Sequence, residues 1–322
     1  MSLAKPRVLF WLEESSVLRA TMYGSEKEFR LCSDGDTMGR EPIKCEWVGL
    51  RDALRVFVLN EAGHQGSKHI KPLHWYVACR LVIEGGFRPE DIVPRPPFVV
   101  DSRNSRHVLR HDANEGGSGE RTVLGGLKTK DVDVVVTKNG IGPVMAVSLK
   151  GTLKAFRNLT NRMEEAVGDC TNLHIAYPAL VYGFLQVMRA NREGPQVVAN
   201  DVALSLDGQV IEHIRRYHDV LARLSDRDDV RDDTTKYEAI ALALVDPDPP
   251  SEGIILPFFP EPGSPLLLGE FFQKLYMQYD QRFIYAAPAL KTTTRRFAWD
   301  PESPVLGDPR LADYSPRLAH ED

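Results

Sequence analysis

The pattern of apolar and polar positions along the chain changes near residue 120. Before that point, residues 68–84 carry apolar side chains at helical spacing and are followed by Gly85 and Gly86, so they predict a helix that ends there. Residues 87–98 are dense in proline and predict an extended connector. We therefore expect residues 1–95 to form a mostly helical N-terminal region.

Beyond residue 120, β-branched runs alternate with amphipathic segments. Residues 131–137 (DVDVVVT) and 142–150 (GPVMAVSLK) flank an Asn-Gly turn and predict a β-hairpin. The later segments predict helices at 154–167, 209–224 and 269–283, and strands at 180–188, 239–245 and 254–259. This order predicts an α/β fold over residues 96–287, with a mixed central β-sheet flanked by helices. Residues 288–322 are polar and rich in proline, and we expect a loosely packed tail there.

Composition narrows the class of protein. Hydrophobic residues make up 43% of the chain and charged residues 26%, as in ordinary globular proteins. No apolar run approaches the ~20 residues of a membrane helix, so we expect no membrane partner. The four cysteines are far apart and form no CxxC pair, which argues against a zinc site or a disulfide framework and favours a reducing cytoplasm.

Charge is unevenly distributed. The net charge of −5 disfavours a protein that coats nucleic acid. However, residues 121–162 contain eight basic and two acidic residues, whereas residues 226–252 contain nine acidic and three basic ones. The basic segment can attract a polyanion despite the negative total. Pairing between the two segments, or simple solvation, explains the same pattern equally well.

The predicted hairpin places an acid and a base close together. Asp133 lies near the start of one strand and Lys150 ends the next. Because side chains alternate between the faces of a strand, Ser148 and Lys150 share a face. A hairpin of this length brings Asp133 near Lys150.

The predicted helix after the hairpin adds a polar stripe. Lys154, Arg157, Asn161 and Glu164 are spaced by three or four residues and so predict one helical face that reaches back to the hairpin. Asp133 and Glu164 would then supply two carboxylates, which are ligands that Mg²⁺ prefers. Lys150 would orient a water molecule or stabilise developing negative charge, as phosphodiester hydrolysis requires.

This hairpin resembles the signature of the PD-(D/E)XK nucleases, the restriction-endonuclease-like superfamily. The usual form has Pro before the first Asp and an acid two residues before Lys, whereas this chain has Val132 and Ser148 at those positions. Type II restriction endonucleases that recognise CCGG show a similar variant, with Ser-x-Lys on the strand and a Glu one helix further on. Ser148, Lys150 and Glu164 match that variant, and the resemblance covers roughly residues 120–190.

The resemblance implies a type II-like restriction endonuclease that hydrolyses duplex DNA at a specific sequence with Mg²⁺. It implies that Asp133, Lys150, Glu164 and Ser148 are catalytic and that Asp133 and Glu164 bind the metal. A homodimer is expected if the target is palindromic. Lys154 and Arg157 occupy the positions of base-recognition residues, although the Asp that accompanies them in those enzymes is absent. The residues expected to bind DNA are Lys154, Arg157, Asn161 and Arg162.

Several alternatives remain open on the sequence. Asp131 competes with Asp133, Glu165 competes with Glu164, and Glu120 is a candidate additional acid. The function could also be that of another PD-(D/E)XK nuclease, in repair, recombination or defence, or of a catalytically inactive DNA-binding relative. A basic stretch is expected to contact either DNA or solvent (Arg103, Arg106 and Arg110). Three histidines are spaced five residues apart, which suits no helical face, so no metal site is expected there (His64, His69 and His74).

Overall fold

A computed structural model describes residues 17–22, 25–30, 43–60, 69–103 and 106–319, apart from the side chains of residues 17–30, 103 and 157. The chain divides into two compact units, residues 1–43 and 44–322. In the first unit, β1 (Val17–Met22) and β2 (Ser25–Arg30) form an antiparallel hairpin. The sequence pattern, which predicted a mostly helical region over residues 1–95, did not indicate this hairpin.

The second unit contains the helices and strands that position the candidate site. In chain order, its described elements are α1 (Leu50–Val58), α2 (Lys71–Ile83), β3 (Ile92–Val93), β4 (Phe98–Arg103), β5 (Arg106–His111), β6 (Arg121–Leu124), β7 (Thr129–Val132), β8 (Val134–Lys138), β9 (Gly142–Thr152), α3 (Leu159–Ala176), β10 (Val181–Arg189), α4 (Glu212–Arg223), β11 (Ala239–Val245), α5 (Leu268–Tyr279) and α6 (Lys291–Thr294).

The predicted mixed sheet flanked by helices is confirmed. Five strands lie in the order β11-β10-β9-β8-β3. Strands β3, β8 and β9 are antiparallel neighbours, whereas β9, β10 and β11 run parallel. The parallel neighbours are joined through α3 and α4, because parallel strands need a long crossover.

Helices cover both faces of this sheet. Buried side chains of α1, α2 and α5 pack on one face, together with Val147 and Leu149 of β9. Buried side chains of α3 and α4 pack on the other face, together with Ala146. Burial on both faces explains why β11 is apolar throughout.

The strand predicted over residues 131–137 is divided in two at Asp133. Up to Val132 the chain pairs with β6, and from Val134 it pairs with β9. Strand β9 in turn continues through Gly151, where the sequence predicted its end. The rings of Phe57 and the side chain of Ile70 leave no room for a Cβ atom at Gly151, so this glycine permits close packing.

The helix predicted from residue 154 begins at Leu159. Ala155 adopts a left-handed conformation (φ 59°), and a 3-10 turn, Phe156–Asn158, precedes the helix. Lys154 and Arg157 therefore lie outside α3, and the predicted polar stripe with Asn161 and Glu164 is wrong. Helix α3 also extends to Ala176, well past the predicted end at residue 167.

Two C-terminal predictions differ from the structure. The strand predicted at residues 254–259 is reduced to one isolated bridge between Val245 and Ile255. The expected loose tail contains Trp299, which is fully buried and donates hydrogen bonds from Nε1 to the carbonyls of Val82 and Ile83 at 3.1 and 2.9 Å. Aromatic burial against α2 fixes this segment. None of the described helices has the length and apolarity needed to cross a membrane.

Candidate active site

Asp133 lies at the bend between β7 and β8, where its side chain is held by the neighbouring strand. Its Oδ2 atom accepts a hydrogen bond of 2.7 Å from the backbone N–H of Leu149 on β9, and the residue is only 8% exposed. This contact fixes the carboxylate at the junction of two strands. The rival acid Asp131 instead accepts a hydrogen bond from the Thr122 hydroxyl across the β6–β7 hairpin.

His74 on α2 faces Asp133. Its Nε2 atom lies 3.8 Å from Oδ1 of Asp133 and is buried without a hydrogen bond. Burial lowers the pKa of His74; Asp133 opposes this effect, whereas Lys71 and Lys150 add to it. The lowered pKa favours the neutral imidazole, in which one nitrogen can accept a proton or bind a metal ion.

Glu120 completes a group of three potential ligands. One ligand atom each from His74, Glu120 and Asp133 lies within 4.8 Å of the others. Unlike its two buried partners, Glu120 is exposed, so the group opens to solvent. Desolvation raises the pKa of Glu120, and repulsion by Asp133 raises it further. A divalent cation between the two carboxylates would relieve this repulsion.

Two lysines lie near this group. Lys150, at the β9 position that the sequence predicted, acts electrostatically on both His74 and Glu120. Lys71, in the first turn of α2, acts on the same two residues. Asp133 accepts its hydrogen bond from Leu149, the residue before Lys150, which is consistent with the predicted proximity of Lys150 to Asp133. Lys71 is a second cation that the sequence did not reveal.

Ser148 lies inside the protein. It is paired with Phe184 on β10, just as Lys150 is paired with Gln186, so the two residues are two apart on one strand and share a face, as predicted. The Ser148 hydroxyl is 2% exposed and accepts a hydrogen bond of 3.0 Å from the Tyr182 hydroxyl. This burial makes it a packing residue beside the site.

Glu164 does not join the three-residue group. Helix α3 packs on the sheet through Leu159, Ala166 and Cys170. At 3.6 residues per turn, Glu164 lies about 140° around the helix axis from Leu159, on the side away from the sheet. Its side chain is exposed, as is that of Glu165, whose nearest basic partner is Arg162 at 3.8 Å. The structure therefore corrects the predicted pairing: Asp133 is grouped with Glu120, not with Glu164.

Predicted DNA-binding residues line a groove beyond the end of β9. Lys154 and Arg162 flank this groove of about 280 Å³, together with Thr152 and Asn158. Asn161 is exposed on the first turn of α3, and the side chain of Arg157 is outside the described part of the structure. A basic groove therefore begins two residues past Lys150.

The other basic and histidine candidates have different surroundings. Arg110 pairs with Asp101 at 2.7 Å and Arg106 pairs with Asp300 at 3.7 Å, so acids accompany both described arginines of that stretch. His69 stacks on Phe57. His64 and the side chain of Arg103 lie outside the described residues.

The sequence pattern predicted no metal site at His74, because the spacing of five between it and the neighbouring histidines suits no helical face. The partners come instead from Glu120 and Asp133, far along the chain, and the fold brings them to the side of α2. The spacing of residues along the chain does not predict a contact between segments so far apart. Glu120 could be named beforehand only as an acid close to the hairpin.

Comparison of the chain with protein-family models, with curated proteins and with solved structures finds no match.

Proposed function

We propose that the protein is a Mg²⁺-dependent endonuclease that hydrolyses phosphodiester bonds of duplex DNA, in the manner of a type II restriction enzyme. The observation that carries this proposal is the convergence of Asp133, Glu120 and His74 within 4.8 Å, with Lys150 close by. Two of these four residues, Asp133 and Lys150, are those of the hairpin signature that resembles the PD-(D/E)XK nucleases.

The donor set fits a divalent cation. Asp133 and Glu120 would hold the ion, since Mg²⁺ is typically bound by one or two carboxylates together with water and substrate phosphate. Exposure of Glu120 leaves an open side for those water and phosphate ligands. A bound cation would polarise the phosphoryl group and lower the pKa of a bound water.

The remaining side chains supply proton transfer and charge. With its proton on Nδ1, the neutral imidazole of His74 would accept at Nε2, which has no other hydrogen-bond partner, the proton of an attacking water molecule. The ammonium group of Lys150 can stabilise the negative charge that develops on the phosphate oxygens. Lys71 adds positive charge on the α2 side of the same group.

The groove at Lys154 and Arg162 supports a polyanionic substrate. Cationic side chains along a groove bind the phosphate backbone and make affinity depend on salt. In this proposal the groove leads the duplex to Lys150, and a homodimer acts if the recognised sequence is palindromic.

The proposal is tested by digesting a long unmethylated DNA with the full-length protein and Mg²⁺. Discrete fragments are the expected result. A continuous smear would instead favour a nuclease of repair, recombination or defence with the same core. Intact DNA with both Mg²⁺ and Mn²⁺ would contradict nuclease activity and favour a DNA-binding relative.

A further inference from the structure

A second polar pocket lies at the other end of β8 from Asp133. Lys138 ends this strand, about 13 Å from Val134 at ~3.3 Å per residue. The pocket has a volume of about 170 Å³, and its polar lining consists of Arg88, Asp91, Lys138, Asn139, Thr292, Thr293 and Arg295. It is separate from the proposed metal site and from the groove at Lys154.

The backbone holds two arginines of this pocket beside one aromatic ring. The N–H of Phe297 donates a 2.7 Å hydrogen bond to the carbonyl of Gly86, which fixes the two segments side by side. The guanidinium carbons of Arg88 and Arg295 consequently lie 5.2 and 5.3 Å from the centre of the Phe297 ring. Cation–π contacts of this kind orient each guanidinium.

The positive charge of these arginines is poorly compensated. Lys138 is buried and paired with Asp91 at 2.7 Å, so those two charges cancel. Among the described residues, the ion-pair partner of Arg88 is Glu90 at 3.6 Å, and both side chains are about half exposed, which makes this a weak pair. Within the described part of the chain, Arg295 forms no ion pair, and it lines the same pocket as Arg88. A bound anion would balance two positive charges that line one pocket.

We propose that this pocket binds a single phosphate group. The guanidinium groups of Arg88 and Arg295 match phosphate oxygens in a forked geometry, and the hydroxyls of Thr292 and Thr293 add donors. The volume is below the ~300–1,000 Å³ of common small-molecule sites, so the pocket suits one tetrahedral oxyanion rather than a whole nucleotide. The phosphate belongs either to a nucleic-acid backbone or to a free phosphate ester. The inference is independent of the proposed nuclease activity.

Isothermal titration of the full-length, metal-free protein with inorganic phosphate, at constant ionic strength, tests the proposal. The double variant Arg88→Gln/Arg295→Gln removes both cations, and Arg216→Gln removes an exposed arginine of α4 as a matched control. Wild type and Arg216→Gln should bind one phosphate saturably, and the double variant should bind at least about tenfold more weakly, a loss of ~1.4 kcal/mol. Equal phosphate affinity in all three proteins, or no saturable binding to wild type, would overturn the proposal.

A second measurement identifies the source of the phosphate. Binding of an uncleaved DNA duplex is followed against salt concentration without divalent metal. If the pocket contacts the DNA backbone, the double variant lowers the slope of log K against log salt by up to about 1.8, at ~0.9 for each contact. An unchanged slope, together with loss of inorganic phosphate binding, assigns the pocket to a free phosphate ester.

Discussion

Nε2 of His74 lies 3.8 Å from Oδ1 of Asp133, and no hydrogen bond satisfies this buried nitrogen. An unsatisfied buried polar atom costs about 1–3 kcal/mol, which a metal ion or a water molecule bound at this nitrogen would offset. We assign this nitrogen to the metal and water chemistry of the Asp133–Glu120 pair.

Replacing His74 with Gln should weaken the binding of Ni²⁺ more than that of Mg²⁺. Imidazole is a good ligand for Ni²⁺, whereas Mg²⁺ relies on oxygen ligands that Asp133 and Glu120 still provide. We expect Ni²⁺ affinity, measured by calorimetry, to fall by at least about tenfold, since loss of even an outer partner of a metal ligand typically costs ~10–100-fold. His213→Gln, which removes an exposed histidine of α4, is the control. Equal losses for Ni²⁺ and Mg²⁺ would argue against His74 as a ligand.

Replacing Lys150 with Ala should slow DNA cleavage while the DNA is still bound. Removal of one group that stabilises developing negative charge typically costs ~10²–10³ in rate. Single-turnover cleavage and DNA affinity are to be measured on the same preparation. A full cleavage rate in Lys150→Ala would remove this lysine from the mechanism.

Replacing Lys154 or Arg162 with Gln should weaken DNA binding with little effect on the rate of the bound complex. Each lost phosphate contact lowers the slope of log K against log salt by ~0.9. Arg216→Gln again serves as the exposed control, because it lies on α4 outside the groove. Should the slopes of all the variants equal that of wild type, the groove is not the path of the DNA.

The sequence predicted the central sheet well but its local breaks poorly. Strand β11 was located correctly because its apolar residues are continuous, and the hairpin of β8 and β9 was marked by its Asn-Gly turn. The break at Asp133 was missed because an uninterrupted β-branched run does not show that its two halves pair with different strands. The late start of α3 was missed because Ala155, which carries the left-handed turn, gives no sequence signal for it.

The candidate site was only half visible in the sequence. Asp133 immediately precedes β8 and accepts a hydrogen bond from Leu149, the residue before Lys150 on β9, so a local hairpin pattern was enough to predict that Asp133 and Lys150 are neighbours. His74 and Glu120 reach the site through tertiary packing of α2 and of the segment before β6, which residue spacing does not record. Glu164 was assigned to the site from a helix predicted to begin at residue 154, five residues before α3 begins.

Glu238 is expected to be essential for stability, although it lies outside the proposed mechanism. Its fully buried carboxylate pairs with Arg227 at 2.8 Å and Arg282 at 2.6 Å. Glu238→Gln would leave both guanidinium groups without a charged partner, and breaking a buried pair typically costs about 3–5 kcal/mol of unfolding free energy. Urea denaturation measures this loss. Glu212→Gln, which breaks an exposed pair with Arg216, should cost at most ~1 kcal/mol.

The same carboxylate should make stability depend on acid pH. Desolvation opposes ionisation of Glu238, but the side chain of His174, whose Nε2 atom lies 3.4 Å from the carboxylate, and the charge of Arg282 outweigh it, so the pKa of Glu238 is lowered from the ordinary value of 4.5. The stabilisation is therefore present above pH 4.5 and is lost as the pH falls through the lower folded-state value. Unfolding free energies measured from pH 6 downward should converge for wild type and Glu238→Gln. A constant difference between the two proteins would contradict this assignment.

The most direct test of the proposed active site compares three conservative variants, Asp133→Asn, Glu120→Gln and Glu164→Gln, in Mg²⁺-dependent cleavage of one DNA substrate. Each variant removes one carboxylate charge at almost constant volume, and a thermal unfolding curve for each checks that the fold is retained. We predict that cleavage is abolished in Asp133→Asn and Glu120→Gln and is close to wild type in Glu164→Gln. Loss of cleavage in Glu164→Gln with full activity in Glu120→Gln would contradict the assignment of Asp133 and Glu120 as the pair that binds the metal ion.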